Sequence, residues 1–408
     1  MKAGHLSEYF VDVAVKRLSA VEADRHRSNQ HEFDGVAQLR GMLGPEDRKN
    51  IPAVFIYLND DDPEPLRDDG FLSWYDARRR HPTRTEWRLY FPDTVVSDNA
   101  AEGDLLIIAQ RPDQTLMVII AERGSTIGNQ LLWLFGVGEP TLPGFSIKGE
   151  LEADQLRLEF ASRYILEQIG VVVEQTDETY LDRMLERFGG KFPTTREFSG
   201  FARGTLGDAD LAGDPDSALL ALVEREEVLF RTLERHVIGD RLHAGFSEID
   251  DFLAFSLSVQ NRRKSRAGSA LENHMEHLFG LVGVRGERTP VTEGRAKPDF
   301  LFPGSAQYHD SSFPAELLTM LAAKSTCKDR WRQVLAEADR IESKHLLTLE
   351  PSISVNQTDE MRQRQIQLVL PRRLHETYTE AQRSWLMPVS AMIELLLDRQ
   401  ARAGFDTV

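Results

Sequence analysis

The sequence has one cysteine, no long hydrophobic run and too few basic residues to balance its acidic ones. Cys327 has no partner for an intrachain disulfide, and cysteine-based zinc sites need several cysteines. No apolar stretch approaches the roughly 18 residues of a membrane span. The N-terminal segment MKAGHLSEYF also lacks the apolar core of a secretion signal. We therefore predict a cytoplasmic protein with no membrane partner, whose mature form is the whole chain.

The shortage of positive charge restricts the kinds of partner. The chain has 49 basic and 65 acidic side chains, which give a formal net charge of −16. This excess of acid argues against a protein that coats nucleic acid through general positive charge, so nucleic-acid binding has to come from local basic patches. The chain is 408 residues long and 41% hydrophobic. It is long enough for two domains, which usually have about 100–200 residues each.

The pattern of apolar residues changes along the chain and predicts two domains. Residues 1–145 contain repeated strand-like runs, and the runs on either side of residues 112–115 form the clearest hairpin. We predict a mainly β, barrel-like N-terminal domain there. Residues 146–185 are expected to be a helical connector. Residues 186–408, where helices alternate with short apolar strands, are expected to form an α/β domain.

Helix signals are clear at two places. Ser125 or Thr126 is positioned to cap a helix over residues 127–135, which a glycine then ends. Further along, the spacing of apolar residues predicts helices at about 217–238 and 247–259.

An aspartate and a lysine mark the ends of two predicted strands in the C-terminal domain. Asp299 opens the strand 299–302, and Lys324, 25 residues later, closes the strand 317–323. An acid that opens one strand and a lysine that closes another can converge on one spot. Phosphodiester hydrolysis uses a hard cation, usually Mg²⁺ on carboxylate oxygens, and a group that orients or deprotonates the attacking water. Asp299 suits the first role and Lys324 the second.

Two glutamates are candidates to complete such a site. A second carboxylate commonly lies two residues before the lysine, but this sequence has Ala322 there. Glu337 is the candidate replacement, on a predicted helix whose stripe also contains Arg330. Glu272, on another predicted helix, is a candidate further ligand or base. The alternative stays open, because a Pro-Asp pair is often turn chemistry and a helical glutamate usually faces water.

Basic residues form separate groups within this acidic chain. Arginine presents a fork of donors that matches guanine edges and phosphates, so such groups are candidate DNA contacts. For each group alone, a solvated surface is an equally good explanation. The groups are Arg262, Arg263, Lys264 and Arg266; residues 324–332; Arg78, Arg79, Arg80, Arg84 and Arg88; and Lys16 with Arg17.

Three segments of the sequence resemble the catalytic domain of the EcoRII and PspGI restriction endonucleases. They read SVQNRRKSRAGSALENHMEHLF at 258–279, TEGRAKPDFLFP at 292–303 and AAKSTCKDRWRQVL at 322–335. More weakly, YFVDVAVKRLSA at 9–20 and TRTEWR at 83–88 resemble the effector-binding domain of EcoRII. That domain is similar to the DNA-binding pseudobarrel of plant transcription factors, which agrees with the mainly β interpretation.

This resemblance implies a type II restriction endonuclease of the PD-(D/E)XK class, with a catalytic mixed sheet flanked by helices. It implies Mg²⁺-dependent cleavage of duplex DNA at CCWGG, where W is A or T. Asp299, Lys324, Glu337 and Glu272 fall on the catalytic positions, with Asp299 and Glu337 as metal ligands. Lys328, Asp329 and Arg330 fall on the segment that reads the CC:GG edges.

The resemblance also implies partners for the N-terminal domain and for the whole protein. The N-terminal domain is expected to bind a second, effector copy of the site through Lys16, Arg17, His31, Arg84, Glu86 and Arg88. A cytosine methyltransferase is expected to protect the host's own sites, and the protein is expected to be a monomer or a homodimer. Two other functions stay open: a nuclease that cuts modified DNA, and a DNA-binding module without catalysis.

Overall fold

A computed structural model provides the structure of the protein. It describes residues 6–23, 31–34, 36–62, 64–81, 84–140, 144–148, 160–171, 173, 177–206, 211–327, 330–351 and 353–405. The pattern of internal contacts divides the chain into two units, Lys2–Val173 and Glu174–Val408. The division falls inside the segment 146–185 that the sequence analysis assigned to a connector.

The first unit is mainly β and is built on one eight-stranded sheet. Its strands are β1 Asp12–Arg17, β2 Glu32–Phe33, β3 Arg48–Leu58, β4 Leu66–Asp76, β5 Trp87–Tyr90, β6 Leu105–Gln110, β7 Leu116–Ala121 and β8 Ser146–Lys148. The strand order is β2-β5-β4-β3-β7-β6-β1-β8. The sheet is mixed, because β3 and β7 pair in parallel and the other neighbours pair antiparallel. Its helices are α1 Ala20–Ala23, α2 Arg40–Leu43, α3 Val95–Asn99, α4 Thr126–Phe135 and α5 Phe160–Gln168.

The predicted hairpin forms two inner strands of this sheet. Strands β6 and β7 pair antiparallel, with Leu105 opposite Ala121 and Gln110 opposite Leu116. Every residue of both strands is buried, because apolar clusters cover both faces of the sheet. The hairpin prediction is therefore confirmed. Its two continuous apolar runs are explained by burial on both faces.

The helix after the hairpin also forms as predicted. The Ser125 side chain accepts a hydrogen bond from the Gly128 amide at the start of α4. Gly136 ends the helix in the left-handed conformation, with φ of 58°. A serine cap and a left-handed glycine satisfy backbone groups that a helix leaves unpaired at its ends.

The second unit combines a five-stranded mixed sheet with helices. Its strands are β9 Glu287–Arg288, β10 Phe300–Phe302, β11 Thr319–Lys324, β12 Lys344–Thr348 and β13 Ile366–Val369. The order is β13-β12-β11-β10-β9, with β11, β12 and β13 parallel and the remaining pairs antiparallel. Its helices are α6 Leu181–Phe188, α7 Thr195–Arg203, α8 Pro215–Ala244, α9 Ile249–Leu281, α10 Ser305–His309, α11 Val355–Gln363, α12 Glu380–Arg383 and α13 Val389–Arg402. None of the helices in the described ranges is long and apolar enough to cross a membrane.

The pairing of β10 with β11 positions the candidate site. Their antiparallel register places Phe300 opposite Leu321. The residue that precedes β10 therefore lies beside the carboxyl end of β11. On one face of the sheet, Phe279 of α9 packs against Phe300 and Phe302, with ring centroids 5.6 and 5.1 Å away. This packing fixes β10 against a long helix.

One predicted helix differs from the structure. Residues Trp331–Ala336 form a 3₁₀ helix, and Glu337 follows it with extended backbone (φ −103°, ψ 140°). The predicted α-helical stripe that joined Arg330 to Glu337 was wrong. A 3₁₀ helix has three residues per turn and is usually short, so this one ends before it reaches the glutamate.

Candidate active site

Asp299 and Lys324 lie in direct contact at the adjoining ends of β10 and β11. The Lys324 Nζ donates to Asp299 Oδ2 at 2.7 Å, and the Ala323 amide donates to the same oxygen at 2.7 Å. Both side chains are largely buried, at 18% and 13% exposure. The Asp299 carbonyl also accepts from the Thr289 amide at 3.0 Å. The Ala323 amide thus holds the carboxylate beside the ammonium group, and the Thr289 amide fixes the backbone of Asp299.

Glu337 adds a second carboxyl to this pair. Burial raises its pKa from the ordinary 4.5 to about 6, while the charge of Lys324 lowers it and that of Asp299 raises it. Glu337 therefore lies close enough to Lys324 and Asp299 for both of their charges to act on its carboxyl group. The Glu337 Oε2 atom is buried and has no hydrogen-bond partner within the described part of the chain.

The sequence analysis missed one further charge near this carboxyl. Lys344, at the start of β12, is buried and donates to the Leu335 carbonyl at 3.3 Å. Burial lowers its pKa, and the charge of Glu337 opposes that shift. A lysine that opens an apolar strand gives no sequence signal of its own, because the contact depends on how β12 lies beside the 3₁₀ helix.

The arrangement of donors fits a hard divalent cation. Asp299 and Glu337 offer carboxylate oxygens, and an unpaired buried oxygen on Glu337 is the type of donor that a cation satisfies. Over the described ranges, no three His, Cys, Asp or Glu side chains are grouped so as to hold a metal ion. Mg²⁺ needs fewer protein ligands, since it keeps several waters and binds through one or two carboxylates plus substrate phosphate.

Glu272 occupies a neighbouring but separate network. Its carboxylate accepts two hydrogen bonds from Arg288 of β9, at 2.6 and 3.2 Å. The same guanidinium donates to Asn273 at 2.6 Å and to Glu276 at 3.1 Å. Glu272 is therefore held by Arg288, whose backbone pairs with Phe300 next to Asp299. Sequence reasoning missed Arg288, because a two-residue strand carries no recognisable pattern.

The segment expected to read DNA is anchored at both ends. Lys328 and Asp329 lie outside the described residues. The buried Cys327 donates its amide to Glu350 at 2.6 Å, and Trp331 is fully buried. Between these anchors the Arg330 side chain is exposed.

The four basic residues predicted to contact DNA from α9 lie in different environments. Arg266 is buried and lies over the rings of Phe198 and Phe230, at 5.2 and 4.8 Å. Its predicted contact with DNA is therefore corrected, because successive helix positions point about 100° apart and this one points into an aromatic core. Arg263 pairs with Glu234 at 2.6 Å.

The two other members of this group remain at the surface to different degrees. Arg262 is partly buried and stacks over Phe192 at 4.3 Å. Lys264 is exposed. The predicted contacts of Arg262, Arg263 and Lys264 with DNA stay predictions.

Lys16 is buried rather than available to DNA. Its Nζ donates to Glu22 at 2.6 Å and to the Asp34 carbonyl at 2.9 Å, and the residue is 1% exposed. The prediction of an effector contact at Lys16 is therefore corrected. Its position in the buried middle of β1 is the physical reason.

The remaining residues predicted for effector binding are nearer the surface. Arg17 pairs with Glu139 at 2.5 Å, and His31 lies 3.3 Å from Asp93. Arg88 donates both to Glu32, at 2.8 Å, and to Glu86, at 2.7 Å. Arg84 is exposed. Their roles in DNA binding stay predictions.

Comparison with known proteins finds similarity to restriction enzymes. Residues 230–393 match the family model described as EcoRII C terminal. The chain is 44% identical over 225 residues to the type II restriction enzyme EcoRII of Escherichia coli, an alignment that covers 55% of each protein. The chain thus spans about half the length of this curated relative. The resemblance inferred from the sequence motifs is confirmed for this part of the chain.

Two solved structures are also similar. Metal-depleted Ecl18kI in complex with uncleaved DNA has a TM-score of 0.44 at 19% identity, and covers 55% of this chain and 84% of that one. The complex of restriction endonuclease PspGI with substrate DNA has a TM-score of 0.44 at 18% identity, and covers 52% of this chain and 94% of that one.

Proposed function

We propose that this chain is a type II restriction endonuclease that hydrolyses duplex DNA at CCWGG with Mg²⁺ as cofactor. The observation that carries the proposal is the contact of Lys324 with Asp299 at 2.7 Å, beside the buried carboxyl of Glu337. The match of residues 230–393 to the EcoRII C-terminal family supports it independently of that geometry. We assign the second unit to the PD-(D/E)XK class on the same grounds.

The roles of the side chains follow from their contacts. Asp299 and Glu337 would hold the divalent cation, which would supply a water of lowered pKa and neutralise charge on the phosphate. Asp299 stays oriented because a backbone amide and Lys324 both donate to one of its oxygens. The Lys324 ammonium orients the attacking water and balances the charge that develops on the phosphate. Glu337 has to lose its proton to bind a cation. Because burial raises the pKa of Glu337 to about 6, we expect cation binding to depend on pH near that value.

Sequence recognition is assigned to the segment around Arg330. Its guanidinium is a donor fork suited to guanine O6 and N7, whereas Asp329 can accept from cytosine N4. Each such pairing contributes about 1–3 kcal/mol of discrimination against a wrong base. The anchors at Cys327 and Trp331 support this role, because side chains that read bases have to be held in a fixed register.

The first unit is proposed to be a DNA-binding pseudobarrel that holds a second copy of the site. Its eight-stranded mixed sheet and the positions of Arg17, Arg84 and Arg88 near the surface support that role. Glu86 would act by holding the Arg88 guanidinium, which it contacts at 2.7 Å. A cytosine methyltransferase is the expected genetic partner, because an active restriction enzyme endangers its own host.

The proposal is tested with short duplexes that differ in one feature at a time. One duplex contains CCWGG, a second contains a scrambled site, and a third contains CCWGG methylated on the inner cytosine. We expect Mg²⁺-dependent cleavage of the first alone, and none when the metal is chelated. Cleavage of the methylated duplex alone would replace the proposal with a nuclease for modified DNA. Specific binding without any Mg²⁺-dependent nick would replace it with a DNA-binding module.

A further inference from the structure

Glu337 is held differently from the other carboxylate of the candidate site. Asp299 directly precedes β10, and its carboxylate accepts from the Ala323 amide of the neighbouring strand. Glu337 belongs to none of the strands in the described part of the chain, and follows the 3₁₀ helix with extended backbone. Its amide donates to the Val334 carbonyl at 3.2 Å, which holds the residue from the helix side. On the other side, its position depends on the residues that follow it.

The backbone after this glutamate is bound by two side chains from earlier in the second unit. Ala338 is buried and has left-handed backbone, with φ of 53°, which residues other than glycine rarely adopt. The Asp339 amide then donates to Glu293 Oε2 at 3.2 Å. The Arg340 amide donates to the Tyr308 hydroxyl, also at 3.2 Å. Two successive amides are thus fixed by acceptors that are distant in sequence.

The two acceptors are also bound to each other. The Tyr308 hydroxyl donates to the Glu293 carboxylate, whose two oxygens lie 2.6 and 2.8 Å away. A tyrosine hydroxyl can donate its proton and accept a hydrogen bond at the same time, so its contact with the Arg340 amide is compatible with this one. Burial and the hydrogen bond to Glu293 raise the pKa of Tyr308, so the hydroxyl keeps the proton that it donates.

The Arg340 side chain adds a second connection to the same region. Its guanidinium donates to the Asp310 carbonyl at 3.0 Å, to the Phe313 carbonyl at 2.9 Å and to the Tyr308 carbonyl. These acceptors lie on α10 and in the segment that follows it. We call Glu293, Tyr308 and Arg340 the Glu337 clamp.

The Glu337 clamp reaches both sides of β10. Glu293 lies in the segment between β9 and β10 that leads to Asp299, and Tyr308 lies on α10, which follows β10. The clamp therefore connects the segment that carries one carboxylate to the strand that positions the other. Because Mg²⁺ demands near-ideal octahedral geometry, the relative position of two carboxylate ligands affects how tightly they bind it.

We propose that Glu293, Tyr308 and Arg340 are positioning residues, which hold Glu337 beside Asp299 in the geometry that a divalent cation needs. The inference rests on the proposed function, and adds to it the residues that set the metal geometry. Groups that orient a metal ligand typically change metal affinity by about 10–100-fold when they are replaced. The Glu337 clamp acts on its ligand through the backbone, so its loss should weaken the cation rather than the DNA.

The first experiment removes one hydroxyl and measures the affinity of the full chain for Mn²⁺ by electron paramagnetic resonance. Tyr308→Phe keeps the buried ring, and should raise the Mn²⁺ dissociation constant about tenfold. The Mg²⁺ concentration for half-maximal cleavage should rise by a similar factor, with DNA affinity in the absence of metal unchanged. Tyr378→Phe is the matched control, because it removes another hydroxyl from the same apolar cluster, one that donates to the Glu350 carbonyl at 2.9 Å.

The control should leave both metal dependences unchanged. Equal effects in Tyr308→Phe and Tyr378→Phe would overturn the proposal, because they would show a general loss of stability. Unchanged Mn²⁺ affinity in Tyr308→Phe would overturn it as well. If the wild-type chain binds Mn²⁺ but cuts no duplex, the proposed activity fails, and a tenfold loss of Mn²⁺ affinity in Tyr308→Phe still supports the clamp.

The second experiment asks whether Glu293 positions Glu337 or binds the cation itself. Glu293→Gln keeps an oxygen that can accept from the Asp339 amide, and should keep Mn²⁺ affinity near that of the wild type. Glu293→Ala loses both contacts of the carboxylate, and should weaken Mn²⁺ about tenfold. Thermal unfolding checks that both variants remain folded. If Glu293→Gln weakens Mn²⁺ as much as Glu293→Ala does, the negative charge is what matters, and the positioning role is wrong.

Discussion

The Lys324 ammonium lies 2.7 Å from Asp299 Oδ2, and the amide of the preceding residue, Ala323, donates to the same oxygen. The carboxylate therefore keeps a backbone hydrogen bond that does not depend on the lysine. This geometry separates the position of the metal ligand from the availability of the lysine. A single substitution at this site is therefore expected to change the cleavage rate without unfolding the protein.

Asp299→Asn should abolish cleavage and preserve binding of DNA. The amide keeps an oxygen that accepts from Ala323 but loses the charge that a divalent cation needs. We expect the cleavage rate to fall by at least about a thousandfold, with the DNA dissociation constant changed only a few-fold. Single-turnover cleavage and a filter-binding titration measure the two quantities. Glu316→Gln, at an exposed acid before β11, is the control, and equal loss of activity in both variants would count against the assignment.

Glu337→Gln should stabilise the protein at neutral pH in the absence of divalent ions. The folded-state pKa is about 6 and the ordinary value is 4.5, so the folded state binds more protons between these values. Stability of the wild type then falls as pH rises through that window, and the deficit persists above it. We expect the variant to gain about 1–2 kcal/mol above the window and little below it. The measurement is the free energy of unfolding of both proteins in urea, at a pH below the window and at a pH above it. A difference between the two proteins that does not change with pH would contradict this explanation.

Arg288 and Glu272 should be energetically coupled. The guanidinium donates twice to the Glu272 carboxylate, and the two side chains are only 18% and 21% exposed. A double-mutant cycle with Arg288→Ala and Glu272→Ala should give a coupling energy of about 1–2 kcal/mol in urea unfolding. Asp398 and Arg402, an exposed pair at 3.5 Å, serve as the control pair and should give less than about 0.5 kcal/mol. Equal coupling energies in the two pairs would show that burial does not strengthen the ion pair between Arg288 and Glu272.

Lys16→Met and Arg84→Ala should affect different properties of the first unit, its stability and its binding of DNA. Loss of the buried Lys16 leaves Glu22 without its counter-ion, which should cost about 3 kcal/mol of unfolding free energy. Arg84 is exposed, so Arg84→Ala should leave stability within about 0.5 kcal/mol. That variant should instead weaken binding of a second CCWGG duplex. Denaturation and a two-duplex binding titration separate these effects, and an Arg84→Ala variant with unchanged affinity would remove this residue from the effector surface.

The sequence predicts those parts of the structure that depend on local patterns. Strands β6 and β7 are continuous apolar runs around a short turn, and α4 has its cap and its terminal glycine. The approach of Asp299 to Lys324 was also predictable, because both residues mark strand ends. In each case the signal lies within a few residues of the feature that it specifies.

The parts that differ depend on contacts between distant segments. Arg266 belongs to a run of basic residues, but the aromatic rings around it come from α7, α8 and the segment before α7. The burial of Lys16 also depends on a contact beyond its own strand, because its Nζ donates to the carbonyl of Asp34, 18 residues further along the chain. Helix α9 runs unbroken from Ile249 to Leu281, whereas the sequence predicts two helices here, one that ends near residue 259 and one that carries Glu272.

The central claim is tested most directly with two plasmids, one that bears several CCWGG sites and one that bears none. The purified full chain is incubated with each in the presence of Mg²⁺, and the ends of the fragments are mapped. The account predicts cuts confined to CCWGG, with the second plasmid intact. Cuts at other sequences, or no Mg²⁺-dependent cut in either plasmid, would contradict it.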